Sequence, residues 1–193
     1  MSTVQFESHA LSTLRYIRNS MEAAASVAVP GSAGIAMGMV GIVASACTFA
    51  TNLAEHWFAI WLVAAVIAAA AGAVLLLRPV SLRGVSLRGA PLQKFVVCLC
   101  PGLIAGAVLT LILVQTGQRD LIAGTWLLLY GCALASASVP TTRMLLVMGA
   151  LFGIVGSIAF LLPHQPQMVA LGAGFGGIHL GFGIWMVSNG REN

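Results

Sequence analysis

The sequence has very little charge, and this shortage sets the first limit on its fold. Charged residues make up 7% of the chain, whereas hydrophobic residues make up 59% and the mean hydropathy is +0.98. A soluble domain usually carries about 25% charged residues. A water-exposed surface of this composition would aggregate, so most of the surface must face lipid. The composition therefore excludes a soluble globular protein and predicts an integral membrane protein with a single domain.

The sequence also lacks the residue patterns that carry most enzyme chemistry. No Asp, Glu, Lys or Arg lies in the middle of an apolar run, although pumps and proton-coupled carriers usually place such residues at depth. No Ser-His-acid set, His-Glu-x-x-His motif or phosphate-binding glycine loop is present. The cysteines lie in apolar runs without metal or redox spacing, at Cys47, Cys98, Cys100 and Cys132. These absences favour a non-enzymatic protein without a metal site.

What the sequence does contain is a series of apolar runs after Pro30. Each is close to the ~20 residues that cross ~30 Å of hydrocarbon as a helix. The runs occupy approximately residues 31–50, 57–77, 94–115, 121–138, 143–162 and 168–188. Polar and turn-forming residues are concentrated between them. We therefore predict an all-α integral membrane bundle of six transmembrane helices within residues 31–193.

Residues 1–30 are predicted to form an amphipathic interfacial helix followed by a linker. Leu11, Leu14, Ile17 and Met21 recur at helical spacing, and charged residues lie toward the other side. Such a helix is expected to lie on the cytoplasmic leaflet, and a docking or gating role is the alternative. The segment lacks the compact apolar core of a signal peptide, so we expect the N-terminus to be retained.

The positions of the basic residues orient the predicted bundle. Eight Lys and Arg residues fall on one side, and only Arg119 falls on the other. Because cytoplasmic loops carry the excess of Lys and Arg, both termini and the loop 78–94 are predicted to be cytoplasmic. That loop repeats Val-Ser-Leu-Arg-Gly, which we interpret as a local duplication, with binding to anionic lipid as the alternative. Scattered basic residues that serve topology give no support for nucleic-acid binding.

His179 is the one histidine that lies deep in an apolar run. Ionisable residues inside a membrane are costly and are usually functional. Nearby glycines would leave space for a polar substrate or a flat cofactor, in which an imidazole nitrogen could ligate haem iron or chlorophyll magnesium. Trp126 and Tyr130, one turn apart on another run, could supply an aromatic wall. The candidate ligand-binding residues are His179, Gly176, Gly177, Gly183, Trp126 and Tyr130.

A structural role for His179 competes with ligand binding. A neutral imidazole could instead be hydrogen-bonded to Tyr130, to Ser157 or to a backbone carbonyl. Six-coordinate haem would need a second axial ligand, and the other histidines lie outside the apolar core. A methionine or another subunit would have to supply that ligand.

Glycine pairs spaced four residues apart are frequent in the apolar runs. This spacing lets helix backbones approach closely in a membrane. We interpret the pairs as contacts within the bundle, and self-association or binding of other membrane subunits is the alternative. Membrane lipids are the other expected partners. The pairs are Gly34/Gly38, Gly102/Gly106, Gly149/Gly153, Gly172/Gly176 and Gly177/Gly181.

Several short segments of the sequence carry a resemblance to a known protein family. Near the start these segments are Tyr16-Ile17-Arg18, Met21-Glu22, Val29-Pro30-Gly31 and Gly34-Ile35-Ala36-Met37-Gly38. Later ones are Trp126-Leu127-Leu128-Leu129-Tyr130-Gly131, Gly174-Phe175-Gly176-Gly177-Ile178-His179 and Phe182-Gly183. They resemble segments of a family of small, uncharacterised bacterial multi-pass inner-membrane proteins. The resemblance implies a bacterial inner membrane and transfers no catalytic residue.

Together these observations favour a non-enzymatic multi-pass membrane protein, such as an accessory subunit, a sensor or a small-molecule conduit. The alternative is a haem- or pigment-binding membrane subunit ligated through His179. A third class, an intramembrane enzyme acting on lipid, lacks a visible pair of nucleophile and base.

Overall fold

The computed structural model describes Thr13 and residues 29–50, 54–82, 90–139 and 141–189. Helices and short turns account for these ranges, and no β-strand occurs within them. The prediction of an all-α helical bundle is therefore confirmed. The α-helices are α1 (Gly31–Phe49), α2 (Trp57–Leu82), α3 (Ala90–Gln115), α4 (Ile122–Ala137), α5 (Arg143–Ala159), α6 (His164–Leu171) and α7 (His179–Asn189).

Three further helical segments complete the described chain. Short 3₁₀ helices at Ala54–His56 and Arg119–Leu121 lead directly into α2 and α4. A π-helical segment, Gly172–Ile178, joins α6 to α7 without a break. We refer to α6, the π segment and α7 together as the last span.

Five helical segments in the described ranges are long and apolar enough to cross a membrane. They are Gly31–Phe49, Trp57–Arg78, Leu92–Gln115, Arg119–Ala137 and Pro166–Asn189. The remaining apolar helix, α5, has 17 residues, which is at the lower end of the usual ~17–25 for a membrane span. A multi-pass arrangement is thus supported, whereas the count of six spans stays a prediction. The predicted interfacial helix in residues 1–30 lies almost wholly outside the described residues.

The outer surface of the bundle is apolar on every long helix. Val66 of α2 and Leu111 of α3 are both 65% exposed, and Ile154 of α5 is 57% exposed. Large hydrophobic side chains with this exposure are rare and scattered on a soluble monomer. Here they surround the bundle, as expected for helices solvated by lipid.

The helices differ in how many neighbouring helices they pack against. The last span packs against α1, α4 and α5, and α4 packs closely against α5. By contrast, α2 packs mainly against α1, and α3 packs mainly against α4. Within the described ranges, α2 and α3 are not closely packed against each other, although they are consecutive in the chain.

Glycines bring α1 and the last span into close contact. A Cβ atom built on Gly38 would lie 2.6 Å from the backbone nitrogen of Leu180. A Cβ atom on Gly41 would lie equally close, at 2.6 Å, to the carbonyl of Phe175. Only glycine allows two helix backbones to approach this closely. The glycine-rich start of the first span therefore serves packing within the chain.

Candidate functional site

His179 is the first residue of α7 and lies where the last span meets α4. Its side chain is 3% exposed. The Nε2 atom of the ring lies 2.8 Å from the phenolic Oη of Tyr130, which projects from α4. This bond links two membrane helices through buried polar atoms. The structural role considered for His179 therefore has a definite partner, and that partner is Tyr130.

Aromatic rings enclose the histidine. The ring of Phe175 is stacked on the imidazole, with centroids 6.1 Å apart and an interplanar angle of 15°. Phe152 of α5 meets it edge-on at 5.2 Å, and the Phe152 side chain is completely buried. Trp61 of α2 packs on Phe175 with ring centroids 6.1 Å apart. We call Tyr130, Phe152, Phe175 and His179 the aromatic cage.

The second ring nitrogen of His179 lacks a partner. Nδ1 is buried and makes no hydrogen bond with any residue that the structure describes. A neutral imidazole has one donor and one acceptor nitrogen. The bond to Tyr130 uses one of these two groups and leaves the other unsatisfied.

The π segment explains how His179 and Gly183 face their partners at the same time. An i→i+5 hydrogen bond encloses one residue more than the α-helical i→i+4 bond. In an uninterrupted α-helix, Ile178 would occupy the place of His179 and Phe182 would occupy that of Gly183. A Cβ atom at Gly183 would lie 2.5 Å from the backbone nitrogen of Ile35, so no phenylalanine fits there. The extra residue keeps both contacts in register.

The glycines predicted to line a ligand site do not line a shared space beside His179. A Cβ atom on Gly176 would lie 3.1 Å from the backbone nitrogen of Ile42 in α1, and Gly183 also packs on α1. Gly177 lies apart from these contacts, because no described atom would come within 4 Å of a Cβ there. The glycines around His179 therefore serve helix packing or face outward, and they do not form one open face beside the imidazole.

Trp126 is directed away from the aromatic cage, toward α3. Its indole Nε1 donates a 2.8 Å hydrogen bond to Oγ1 of Thr110. The ring covers Gly106, where a Cβ atom would lie 3.1 Å from the indole. Of the two aromatic residues predicted to form a wall, the structure thus places Tyr130 beside His179 and Trp126 in the contact between α3 and α4. Whether these residues bind a ligand stays a prediction.

A haem or chlorophyll macrocycle does not fit the histidine as it is packed. Its Nε2 atom is hydrogen-bonded to Tyr130, and its Nδ1 atom is buried. Phe175 and Phe152 cover the ring face and edge. Axial ligation would require the last span to separate from α4 and α5, so the geometry gives the cofactor hypothesis no support.

Sequence reasoning missed the two phenylalanines of the aromatic cage and two further buried polar groups. Trp61 Nε1 and Gln167 Oε1 are buried without a hydrogen-bond partner among the described residues. The other amide atom of Gln167, Nε2, donates to the carbonyl of Leu162 at 2.8 Å. A glutamine next to a predicted span end gives no signal that it will be 4% exposed.

The other candidate chemistry is sparse. Within the part of the chain that the structure describes, no group of three or more His, Cys, Asp or Glu side chains could hold a metal ion. The four cysteines are free. No family model, curated protein or solved structure matches the chain. The function is therefore argued from the geometry alone.

Proposed function

We propose that this chain is a non-enzymatic accessory subunit of a bacterial inner membrane, which acts through its outer surface. The observation that carries the proposal is the closed aromatic cage around the Tyr130–His179 hydrogen bond. A closed, packed cage stabilises the bundle but gives a ligand no access. The outer surface of the bundle is therefore the part that can contact other molecules. The resemblance to bacterial inner-membrane proteins is the support for the location.

The surroundings of His179 argue against catalysis. A general base must reach the proton that it removes, either directly or through one water. Tyr130, Phe152 and Phe175 pack around His179, and the Tyr130 hydroxyl is its hydrogen-bonding side-chain partner among the described residues. A side chain with 3% exposure offers a substrate no approach without movement of the surrounding helices.

Dense packing argues against a conduit through the single chain. Leu127 and Phe152 have no exposed surface and fill the space where α4, α5 and the last span meet. A permeation path needs a continuous lining of hydrogen-bonding or charged groups. The core around these residues is formed instead by aliphatic and aromatic side chains, with Tyr130 and His179 bonded to each other.

The surface of α3 is where we expect an accessory subunit to meet a larger membrane protein. Only 6% of its spanning window is buried inside the bundle. Val97 is 69% exposed and Ile104 is 62% exposed on this helix. Helices in a membrane associate through packing of such surfaces, because lipid supplies no hydrophobic driving force.

Photo-cross-linking in living bacteria tests the proposal. A photoreactive phenylalanine analogue is placed at Val97 or Ile104 of α3, with Ile154 of α5 as the control position. We expect a protein adduct of one defined mass at the α3 positions and lipid adducts at Ile154. Lipid adducts alone at all three positions would overturn the proposal.

An absorption spectrum separates this proposal from the haem or pigment alternative. Protein purified gently from its own membrane is expected to show no visible band. A visible band that disappears in His179→Phe would replace the accessory-subunit proposal with the cofactor-binding one.

A further inference from the structure

The helices α1 and α2 touch at one level and separate at another. A Cβ atom on Gly72 of α2 would lie 3.0 Å from the sulfur of Met37 in α1, so the two helices are close there. Toward the connection that contains Ala54–His56, an open groove of about 530 Å³ lies between them. Its walls include Met39, Val43 and Cys47 from α1 and Ala59, Val63 and Ile67 from α2.

The position of the groove determines what can fill it. Its lining is apolar, and both helices that form it are membrane-spanning segments. An unfilled apolar space between side chains loses dispersion contacts on every wall. Water gains nothing there because the walls offer no hydrogen bonds. The material available at this depth is hydrocarbon, so a flexible acyl chain fits both the lining and the location.

A carboxylate precedes the groove-lining part of α2 by one turn. Glu55 belongs to the 3₁₀ helix that runs directly into α2, and its side chain is exposed. Ala59, Val63 and Ile67 of α2 line the groove, and Glu55 lies four residues before Ala59, or about one turn away. Because Glu55 also lies just before the apolar span that begins at Trp57, we infer that its carboxylate lies near this end of the groove, at the depth of the lipid headgroups.

We propose that this groove is a binding site for one phospholipid with a primary amine in its headgroup. One acyl chain lies between α1 and α2, and the headgroup ammonium pairs with the Glu55 carboxylate. A primary ammonium offers charge-assisted hydrogen bonds to a carboxylate, whereas an anionic headgroup is repelled by it. The lipid belongs to the leaflet on the Ala54–His56 side. The site is independent of the accessory-subunit proposal, since it uses neither the aromatic cage nor the outer face of α3.

The test is native mass spectrometry of the detergent-solubilised full chain with an equimolar mixture of phosphatidylethanolamine and phosphatidylglycerol. The unmodified chain is expected to retain one phosphatidylethanolamine. Val63→Trp fills the groove and should weaken retention about tenfold, because the acyl chain loses its buried contacts. Val66→Trp is the matched control, since Val66 is a similarly exposed valine on α2 that does not line the groove.

A separate variant tests the contact with the lipid headgroup. Glu55→Gln should leave acyl-chain binding in place and remove the preference for phosphatidylethanolamine over phosphatidylglycerol. Equal loss of lipid in the Val63→Trp and Val66→Trp chains would overturn the groove. Equal retention of the two lipids by the unmodified chain would overturn the assigned headgroup. If Val63→Trp fails to insert, Val43→Trp fills the same groove from α1 and replaces it in the comparison.

Discussion

The two halves of this bundle are stabilised in different ways. In the closed half, which comprises α1, α4, α5 and the last span, glycine contacts and one polar pair lock helices together, and 56% of the α4 window is buried. In the open half, only 6% of the membrane-spanning stretch of α2, and likewise of α3, is buried inside the bundle. Each of these two helices packs mainly against one neighbouring helix. The comparison indicates that packing within the chain holds the closed half, whereas α2 and α3 leave most of their surface to contact molecules outside the chain.

The largest expected effect concerns topology, on which the comparison depends. After replacement of the native cysteines, Gln118→Cys should react with a membrane-impermeant thiol reagent added outside intact cells. Ser86→Cys should react only after the cells are permeabilised, because the excess of Lys and Arg predicts a cytoplasmic location for loop 78–94. Labelling of both positions from the same side would end the six-span model.

The next effect sharpens the account of the closed half. Gly183→Ala places a Cβ atom 2.5 Å from the backbone nitrogen of Ile35, which cannot rotate away. We expect a loss of ~2 kcal/mol or more in the free energy of unfolding, as for other overpacked cores. Gly181→Ala is the control, two residues along the same helix, since no described atom lies within 4 Å of its Cβ position.

Thermal unfolding in detergent measures both alanine variants. Gly181→Ala should be neutral or slightly stabilising, because alanine favours a helix interior over glycine. Similar melting temperatures for the two variants would show that α1 and the last span are not held by close backbone contact.

A smaller effect is expected at the polar pair. Tyr130→Phe and His179→Phe each remove the 2.8 Å interhelical bond and should cost ~1–2 kcal/mol, the upper range for such bonds in a membrane. The double variant should cost less than the sum of the two, because both single changes break the same interaction. Additive losses would show that the two side chains do not stabilise the bundle through each other.

The smallest effect is expected in the open half. Val66→Leu on α2 changes a side chain that is 65% exposed and faces hydrocarbon before and after the substitution. Its melting temperature should match that of the unmodified chain, since surface substitutions usually change stability by less than ~0.5 kcal/mol. A clear destabilisation would mean that a protein partner, and not lipid, covers this face.

Hydropathy predicted the positions of the helices well, since α1 covers Gly31–Phe49 where residues 31–50 were expected. The fourth run, 121–138, likewise contains α4, Ile122–Ala137. Lipid solvation forces backbone hydrogen bonds to close within each segment, so a long apolar run has few alternatives to a helix. Rotation of each helix about its axis was beyond this reasoning, because apolar residues occur on all of its faces.

At the candidate site, too, the sequence did not give the rotation of each helix about its axis. His179 is identifiable from the sequence because an ionisable residue at depth is rare. The difference between Tyr130, which reaches His179, and Trp126, which reaches Thr110, depends on which neighbour each face meets. The π segment at Gly172–Ile178 changes that rotation by one residue, and its glycine-rich sequence gives no distinct signal for it.

Because the π segment contains one residue more than an α-helix needs, the last span should tolerate the deletion of one residue there. In an ordinary α-helix, deleting one residue turns everything beyond it by about 100° and removes each later side chain from its partner. Deleting Gly177 should instead let α-helical bonding resume, with His179 still opposite Tyr130 and Gly183 still against α1. Deleting Gly181, beyond the π segment, should turn the later residues of α7 away from α1 and lower the melting temperature sharply. The last span therefore contains one position at which a deletion can enter a membrane helix without changing the contacts that follow it.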